Sequence, residues 1–400
     1  MKKDRQANQP AAKGSIKLQQ GEASKDAGKR KVPALVIMIL LLVAVYFISI
    51  LFFVRSTEFG MSLAAYRTMV VNNIRSLLYV FLGRAMETTM LLTMKKYLMI
   101  VLVGAALAAA GAMYKTIFRN TLAAPTTMGV QEGGLLGNLL FIALFGGAAA
   151  LDGAEVNLGT FAKAISNTVI FETFGVDLFI GAGCFVGCVL VMVIATTAGG
   201  GHLSSATLVL AGTVVNGAIA GITGAMQYNV TMSSGDDDLI RWLQQMAMGT
   251  FDYLYFNKQV IVMLAVFIPC FVIMFALSGS MDLYALGDEE AAAAGVRVRA
   301  LRGFVILLGV IMTGLTMVYC GHIAFIGFIV PQIISRAAGP SFRRNLLYSI
   351  LVGGVVTLLV YDFGFAFGMT DGLSLITTII GTIMMMWVLL NKKERQHAVT

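Results

Sequence analysis

Charged residues are scarce in this chain. Asp, Glu, Lys and Arg make up 12% of its 400 residues, whereas 58% of the residues are hydrophobic and the mean hydropathy is +0.82. Soluble proteins carry about twice this proportion of charge. No soluble domain of this length needs so much apolar surface, so the composition predicts a membrane protein.

Residues and motifs that commonly carry catalysis are also few. The chain has three histidines, and none lies near a Ser or Cys in a recognisable catalytic arrangement. No G-x-x-x-x-G-K-[ST] sequence occurs, so the chain does not bind ATP in the Walker manner. Four cysteines, 184, 188, 270 and 320, all fall in apolar runs and are expected to be buried small hydrophobes. We therefore expect no enzymatic activity in this chain by itself, no cofactor and no metal site.

The apolar runs predict an all-α polytopic membrane protein with about ten transmembrane helices. The predicted spans are Val32–Val54, Tyr97–Phe118, Gly134–Leu151, Leu178–Thr197, Ala206–Met226, Gln259–Leu277, Phe304–Cys320, Ile323–Ile334, Leu346–Phe367 and Leu373–Leu390. The first run is too long for a cleaved signal peptide and lacks a small-residue cleavage site. Residues 55–96 hold an amphipathic helix, which lies at the membrane surface or against the bundle. A further span is disfavoured there because Asn72, Asn73 and Arg75 would sit in mid-membrane.

Basic residues set the expected orientation. Residues 1–32 form a disordered basic tail, residues 33–391 the transmembrane domain, and residues 392–400 a second tail. With ten spans, most of the 29 Lys and Arg fall on the side of the two tails. The positive-inside rule then places both termini in the cytoplasm.

A charged segment, residues 281–302, joins the sixth and seventh spans on that cytoplasmic side. Gly287 and Asp288 begin a short helix, three acids fill its first turn, and Gly295 ends it. Val296–Leu301 is expected to form a second short helix at about a right angle to the first. The segment either only joins two spans or receives mechanical work from a partner.

Three stretches resemble the FecCD family of permeases from iron-chelate and cobalamin type ABC transporters. They are VLVGAALAAAGAMYKTIFRNTLAAPTTMGVQEGGLLGNLL (residues 101–140), LGDEEAAAAGVRVRALR (286–302) and GHIAFIGFIVPQIISRAAGPSFRRNLL (321–347). They occur in the family's order and at about its separations. The resemblance implies the type II ABC importer permease architecture, with 281–302 as the cytoplasmic coupling loop.

The resemblance also implies a function and partners. The chain would be a permease subunit in the plasma or inner membrane, importing an iron-siderophore, haem or a similar metal chelate. It would pair with a second copy or a homologous permease, with two ATPase subunits, and with an extracytoplasmic substrate-binding protein. No nucleic acid is expected as a partner.

Matching the family's motifs suggests three sets of functional residues. The ATPase-coupling set is Leu286, Gly287, Asp288, Glu289, Ala294, Gly295 and Arg299, the binding-protein docking set is Arg84, Lys95 and Lys96, and the translocation or gating set is Gly321, Phe325, Gly327, Pro331 and Asp362. The gating motif of the family usually reads G-P-I-x-F-I-G-L-x-V-P-H.

The chain departs from the family pattern at several of these places. The usual R-L-P-R reads Thr93–Lys96, and the basic residue expected after Asp362 is missing. The proline of G-P-I is His322, and the P-I-G before the last span reads Leu373, Ser374 and Leu375. The P-H of the gating motif reads Pro331-Gln332. Docking charges are therefore expected to be rearranged onto Arg84 and Lys95.

Two other functions fit the composition. An ion-coupled secondary transporter needs carboxylates at mid-membrane, and Asp362 in the ninth span is a candidate. The simpler role for Asp362 is that of a helix-end residue bonded to the backbone. A membrane-embedded scaffold subunit is the other alternative.

Overall fold

The structure is an almost entirely helical bundle. The computed structural model describes residues 31–53, 63–82, 88–146, 169–200, 205–233, 237–251, 257–369 and 372–397, and these include no strand. Its α-helices are α1 Lys31–Phe53, α2 Leu63–Phe81, α3 Thr88–Ile117, α4 Val130–Phe141, α5 Val169–Ala198, α6 Ser205–Ser233, α7 Asp237–Met248, α8 Asn257–Ala276, α9 Ser278–Leu286, α10 Asp288–Ala293, α11 Val298–Cys320, α12 Ile326–Ala338, α13 Phe342–Ala366 and α14 Leu373–His397. A 3₁₀ turn, Pro125–Met128, precedes α4, and a π-helical turn, Ile142–Gly146, follows it.

Seven of these helices are long and apolar enough to cross a membrane: α1, α3, α5, α6, α8, α11 and α13. The shorter apolar helices are α4, with its π-helical turn, α12 and α14. Together they correspond to the ten spans predicted from the sequence, of which residues 147–151 of the third lie outside the described residues, and the expected all-α polytopic architecture is confirmed. Of the predicted tails, residues 1–30 and 398–400 lie outside the described residues, while 31–32 begin α1 and 392–397 continue α14.

Helix α3 is the centre of the bundle. Of its apolar span, 89% is buried inside the protein, compared with 11% for α1. Glycines allow this burial because they have no Cβ, which lets the neighbouring backbones come close. A Cβ at Gly104 would strike the backbone of Gly353 in α13, and one at Gly111 would strike the backbone of Gly327 in α12. Alanines fill most of the turns between these glycines. The neighbouring helices therefore approach α3 closely and are positioned by it.

A second close contact joins α4 to α5. Gly133 and Gly137 of α4 lie against the backbone of Gly183 in α5, and Gly133 also lies against Gly187. The glycines of α5 thus form a close packing face, and Gly133 belongs to a helix, although it precedes the predicted third span. The similar glycine pair of α6, at 217 and 221, meets nothing within 4 Å in the described part of the chain.

The outer helices expose large apolar side chains. Leu40 of α1, Leu210 of α6, Ile261 of α8 and Ile379 of α14 are each more than 60% exposed. Exposed apolar surface of this extent is unstable in water but suits contact with lipid. The exposure pattern agrees with a bundle surrounded by hydrocarbon.

Several helix starts differ from the prediction, including that of α3. Helix α3 begins at Thr88 rather than Tyr97, because Lys95 and Lys96 interrupt the apolar run without interrupting the helical backbone. The amphipathic helix is confirmed as α2, which packs against α1 and α3.

Candidate functional site

The charged segment between α8 and α11 folds into two short helices, α9 and α10. Gly287 joins them in an extended conformation, and three acidic residues occupy the first turn of α10, where the helix dipole favours negative charge. Gly295 ends α10 with φ +86°, and the Val296 N–H donates to the Ala291 carbonyl at 2.9 Å. This is the hydrogen bond of a Schellman motif. The helix start and end predicted from the sequence are confirmed.

The second short helix predicted here, Val296–Leu301, is wrong as a separate element. Val298 begins α11, which continues without interruption to Cys320. Arg299 in its first turn is exposed, and the Arg302 guanidinium is paired with Asp288, so the helical backbone needs no break between the charged and apolar parts. The partner of α10 is instead α9, on its N-terminal side.

The α9–α10 pair presents a mixed surface. Leu286 is 72% exposed at the end of α9, and Glu289, Ala294 and Arg299 are also exposed. Ala291 on the opposite side of α10 is fully buried. Helix α10 is therefore anchored through one face and offers the other, which combines apolar and charged groups.

Asp288 binds the pair to the bundle. Its carboxylate accepts hydrogen bonds from two guanidinium groups, Arg119 at 2.6 Å and Arg302 at 2.9 Å. Arg119 follows the end of α3, and Arg302 lies in the second turn of α11. Charge-assisted hydrogen bonds of this type are stronger than neutral ones. The first residue of α10 is thus held by two long helices at once.

Tyr284 of α9 strengthens the same contact and is only 1% exposed. Its hydroxyl donates to the Ile117 carbonyl at 2.9 Å and accepts from Arg302 at 2.8 Å. Its own carbonyl accepts from Arg119 at 2.6 Å, and that guanidinium lies 4.5 Å from the ring centre. We call Arg119, Tyr284, Asp288 and Arg302 the anchor cluster. All its polar contacts lead from α9 and α10 to α3 and α11.

Helix α9 also contacts α13. The Asp282 carboxylate accepts a hydrogen bond from the N–H of Phe342, the first residue of α13, at 2.5 Å. The neighbouring Arg343 guanidinium lies 3.9 Å from the ring centre of Phe275 at the end of α8. A displacement of α9 and α10 would therefore act on three long helices, α3, α11 and α13.

The candidate gating residues lie at the start of α12. Gly321 has φ +68° and packs on the backbone of Met246, while Phe325 has φ +61°, which is uncommon for a residue with a side chain. The Phe325 ring lies against Gly381 of α14. The helix begins at Ile326 rather than at the predicted Ile323, because these two left-handed residues prevent an earlier start.

Gly327 and Pro331 form the contact between α12 and α3. Pro331 lacks the N–H that would bond the Gly327 carbonyl inside the helix, and this carbonyl faces Gly111 of α3. The Lys115 amine, one turn further along α3, donates to the Pro331 carbonyl at 3.3 Å and to the Gln332 side chain at 2.8 Å. The two predicted gating residues are therefore buried in a helix contact.

Asp362 of α13 is 6% exposed and has a side-chain partner. The Ser49 hydroxyl of α1 donates to its Oδ2 atom, so its contact is with another helix rather than with backbone. Its Oδ1 atom has no hydrogen-bond partner among the described residues. The described residues also contain no group of three or more His, Cys, Asp or Glu that could hold a metal ion.

The predicted docking residues are only partly described. Arg84 lies outside the described residues, whereas Lys95 and Lys96 belong to α3. The Lys96 amine lies 5.1 Å from the ring centre of Tyr361, next to Asp362. Their role in docking stays a prediction.

Sequence reasoning missed Arg119, Tyr284 and Lys115. Each pairs with a residue more than 160 positions away, so no local spacing indicates the contact. For Lys115 and Arg119 the available signal is a basic residue at the end of an apolar run, which indicates only the orientation of the chain.

Known structures share this fold. An ABC transporter described as of the metal-chelate type, solved in an inward-facing conformation, is 20% identical to this chain. The match covers 89% of this chain and 99% of that one, with a TM-score of 0.64. The bundle thus has the architecture of an ABC importer permease. The chain belongs to the FecCD transport family, which it matches over residues 41–391.

Curated relatives are permease proteins of several transport systems. The hemin transport permease HmuU of Yersinia pestis is 27% identical over 75% of this chain and 82% of its own length. The Fe(3+)-citrate import permease YfmD of Bacillus subtilis is 24% identical over 84% and 91%. The vitamin B12 import permease BtuC of Salmonella arizonae is 27% identical over 73% and 80%. These relatives confirm the family resemblance seen in the sequence and identify the chain as a multi-pass transport permease.

Proposed function

We propose that this chain is the permease subunit of an ATP-driven importer for a metal chelate, such as an iron-siderophore or haem. The observation that carries the proposal is the anchor cluster, which ties α9 and α10 to α3 and α11. Relatives act on hemin, ferric citrate and vitamin B12, which are all large metal chelates. A bundle rich in close glycine contacts suits helices that must shift against one another.

In this proposal, α9 and α10 receive movement from a separate ATPase subunit. The exposed Leu286, Glu289 and Ala294 would contact the ATPase, while the buried side of the pair passes the movement to the bundle. The α9–α10 pair is short and is held by charge-assisted hydrogen bonds, so it moves as a unit with the ends of α3 and α11.

The complex would contain two ATPase subunits, two permeases and an extracytoplasmic substrate-binding protein. The permeases are either two copies of this chain or this chain with a homologue. The assembly lies in the plasma or inner membrane, with both termini and the α9–α10 pair in the cytoplasm, where ATP is available. Lys95 and Lys96 contribute to docking of the binding protein, and Gly321 and Phe325 border the translocation path.

The proposal is tested by isolating the tagged chain from mild detergent and identifying the proteins that accompany it. We expect an ATPase with a Walker motif, and we expect Ala294→Arg to remove it by placing charge and bulk on the exposed side of α10. Ala337→Arg changes another exposed alanine at a helix end and serves as the control. Unchanged ATPase recovery with Ala294→Arg contradicts the proposed contact.

Ion-coupled transport through Asp362 is the second candidate, because one oxygen of this buried carboxylate has no hydrogen-bond partner in the described part of the chain. It predicts that the chain purifies without an ATPase and that uptake follows a proton or sodium gradient. Asp362→Asn would then abolish uptake.

A further inference from the structure

A polar group within the bundle has no part in the proposed coupling. Glu132 of α4, His322 between α11 and α12, and Ser374 of α14 come from three distant segments and meet in space. The imidazole Nδ1 atom lies 3.0 Å from the Ser374 hydroxyl, and the Nε2 atom lies 3.6 Å from the Glu132 carboxyl. The sequence motif of the family has proline at the position of His322, so the imidazole is a departure of this chain.

The backbone around His322 is fixed from several sides. Its N–H donates to the Met246 carbonyl at 2.9 Å, and its own carbonyl lies against Gly249, where φ is +72°. The next carbonyl, that of Ile323, accepts a hydrogen bond from the Gln131 side chain at 2.8 Å. Gln131 precedes Glu132, so the same contact positions both halves of the pair. The imidazole is therefore held in place between the carboxyl and the hydroxyl.

Among the described residues, neither Glu132 nor His322 has an ion pair other than the one they form together. Glu132 is the only ionisable residue of α4, and α14 has none between Leu373 and Trp387. Near His322, α11 carries the buried Cys320 and the neighbouring Tyr319. Helix α5, which packs on α4, carries Asp177 near Tyr319, and Arg241 of α7 is exposed. The Glu132 and His322 side chains are only 20% and 16% exposed. A carboxylate in such a place is costly unless it gains a proton or a close cation.

The separation of the two groups indicates which state they adopt. An imidazolium and a carboxylate would form a charge-assisted hydrogen bond of about 2.7 to 2.9 Å. At 3.6 Å the two groups form no such bond, so nothing offsets the cost of burying two charges, and the uncharged forms are favoured. We propose that Glu132 and His322 form a proton-binding site in which Glu132 is a neutral carboxyl and His322 a neutral imidazole that donates from Nδ1 to Ser374.

This site connects protonation to the position of α12. Loss of the Glu132 proton to solvent leaves a carboxylate facing the lone pair of Nε2, and the two repel each other. Because His322 belongs to the turn that leads into Phe325 and α12, the repulsion loosens this turn. The α11–α12 turn then becomes more mobile as the pH rises.

Infrared spectroscopy of the purified protein in lipid tests the assignment. We expect a carbonyl band of a protonated carboxyl near neutral pH, its loss on alkaline titration, and its absence in Glu132→Gln. The band should shift in His322→Gln, which changes the group facing the carboxyl, and persist in Glu289→Gln, which alters an exposed acid. The buried Asp362 can contribute a carbonyl band of its own, so the assignment depends on the difference between the native protein and Glu132→Gln. Identical spectra of the two overturn the proposal.

Hydrogen exchange of residues 321–326 provides the second readout. Exchange in the native protein should rise as the carboxyl band is lost, and Glu132→Gln should remove this pH dependence. An equal pH response in the variant contradicts the link to α12. If Glu132→Gln does not fold, nitrogen NMR of histidine-labelled native protein decides, because the chain has only three histidines. One ring should stay neutral between about pH 5 and 8, and three rings that all titrate in this range overturn the proposal.

Discussion

Replacing Asp288 by Asn removes the charge that holds α10 to α3 and α11. The amide keeps the size of the side chain but no longer attracts the guanidinium groups of Arg119 and Arg302. The side chains of the three residues are 46%, 38% and 29% exposed, so solvent screens these pairs. Each pair is therefore worth about 0.5 to 1 kcal/mol, at the level of a partly exposed ion pair. Together they contribute about 1 to 2 kcal/mol.

A loss of about 1 to 2 kcal/mol changes the stability of the folded protein little, but it changes strongly how movement passes from α10 to the bundle. If the anchor cluster transmits the movement of the ATPase, a loss of about 1 to 2 kcal/mol lowers the coupled fraction about 5- to 30-fold. We expect Asp288→Asn to keep its ATPase partner and to hydrolyse ATP, while cargo uptake per ATP falls by that factor. Asp288→Glu, which keeps the charge, should retain much of the coupling.

The assay measures ATP hydrolysis and cargo uptake together in proteoliposomes. Glu290→Gln is the matched control, because it removes a neighbouring exposed charge of the same helical turn for which the structure gives no side-chain hydrogen bond to the bundle. A normal ratio of uptake to hydrolysis in Asp288→Asn would refute the role assigned to the anchor cluster. An equal fall of this ratio in Glu290→Gln would show that the loss does not depend on the anchor cluster.

Three further substitutions test the packing of the bundle. Gly111→Ala should lower the thermal stability in detergent by about 1 to 3 kcal/mol, since its Cβ strikes the Gly327 backbone, whereas Gly181→Ala in open space should not. Lys115→Met should increase hydrogen exchange in α12, and unchanged exchange would contradict the contact. Ser49→Ala should cost about 1 to 3 kcal/mol, because it leaves the buried Asp362 without its donor. Combining it with Asp362→Asn should cost less than the sum of the two single changes, and simple additivity would show that the two residues do not interact.

The sequence predicts the architecture well, because hydropathy and helix ends are local signals. The ten spans, the amphipathic helix and the short helix ended by Gly295 all follow from residues close together in the chain. The start of α3 was misplaced because Lys95 and Lys96 look like a boundary to a hydropathy measure. A helical backbone tolerates two lysines, whose amines can reach a polar or aromatic partner.

The contacts of the candidate site could not be predicted in the same way. Arg119 and Asp288 are 169 residues apart, and nothing in the local sequence of either indicates the other. Gly327 and Pro331 carry a family motif, yet their position against α3 depends on a glycine far away in the chain. Side-chain pairing across a bundle is set by how the helices pack, which a single sequence does not specify.

We propose that ATP hydrolysis by a separate subunit drives import through this chain. The most direct measurement is uptake of labelled hemin, ferric citrate or cobalamin into proteoliposomes that contain the chain, its ATPase and its binding protein. We predict uptake of at least one of these probes that requires ATP, proceeds without an ion gradient, and fails with Ala294→Arg. Uptake that proceeds without ATP, follows a proton or sodium gradient and is lost in Asp362→Asn would contradict the account.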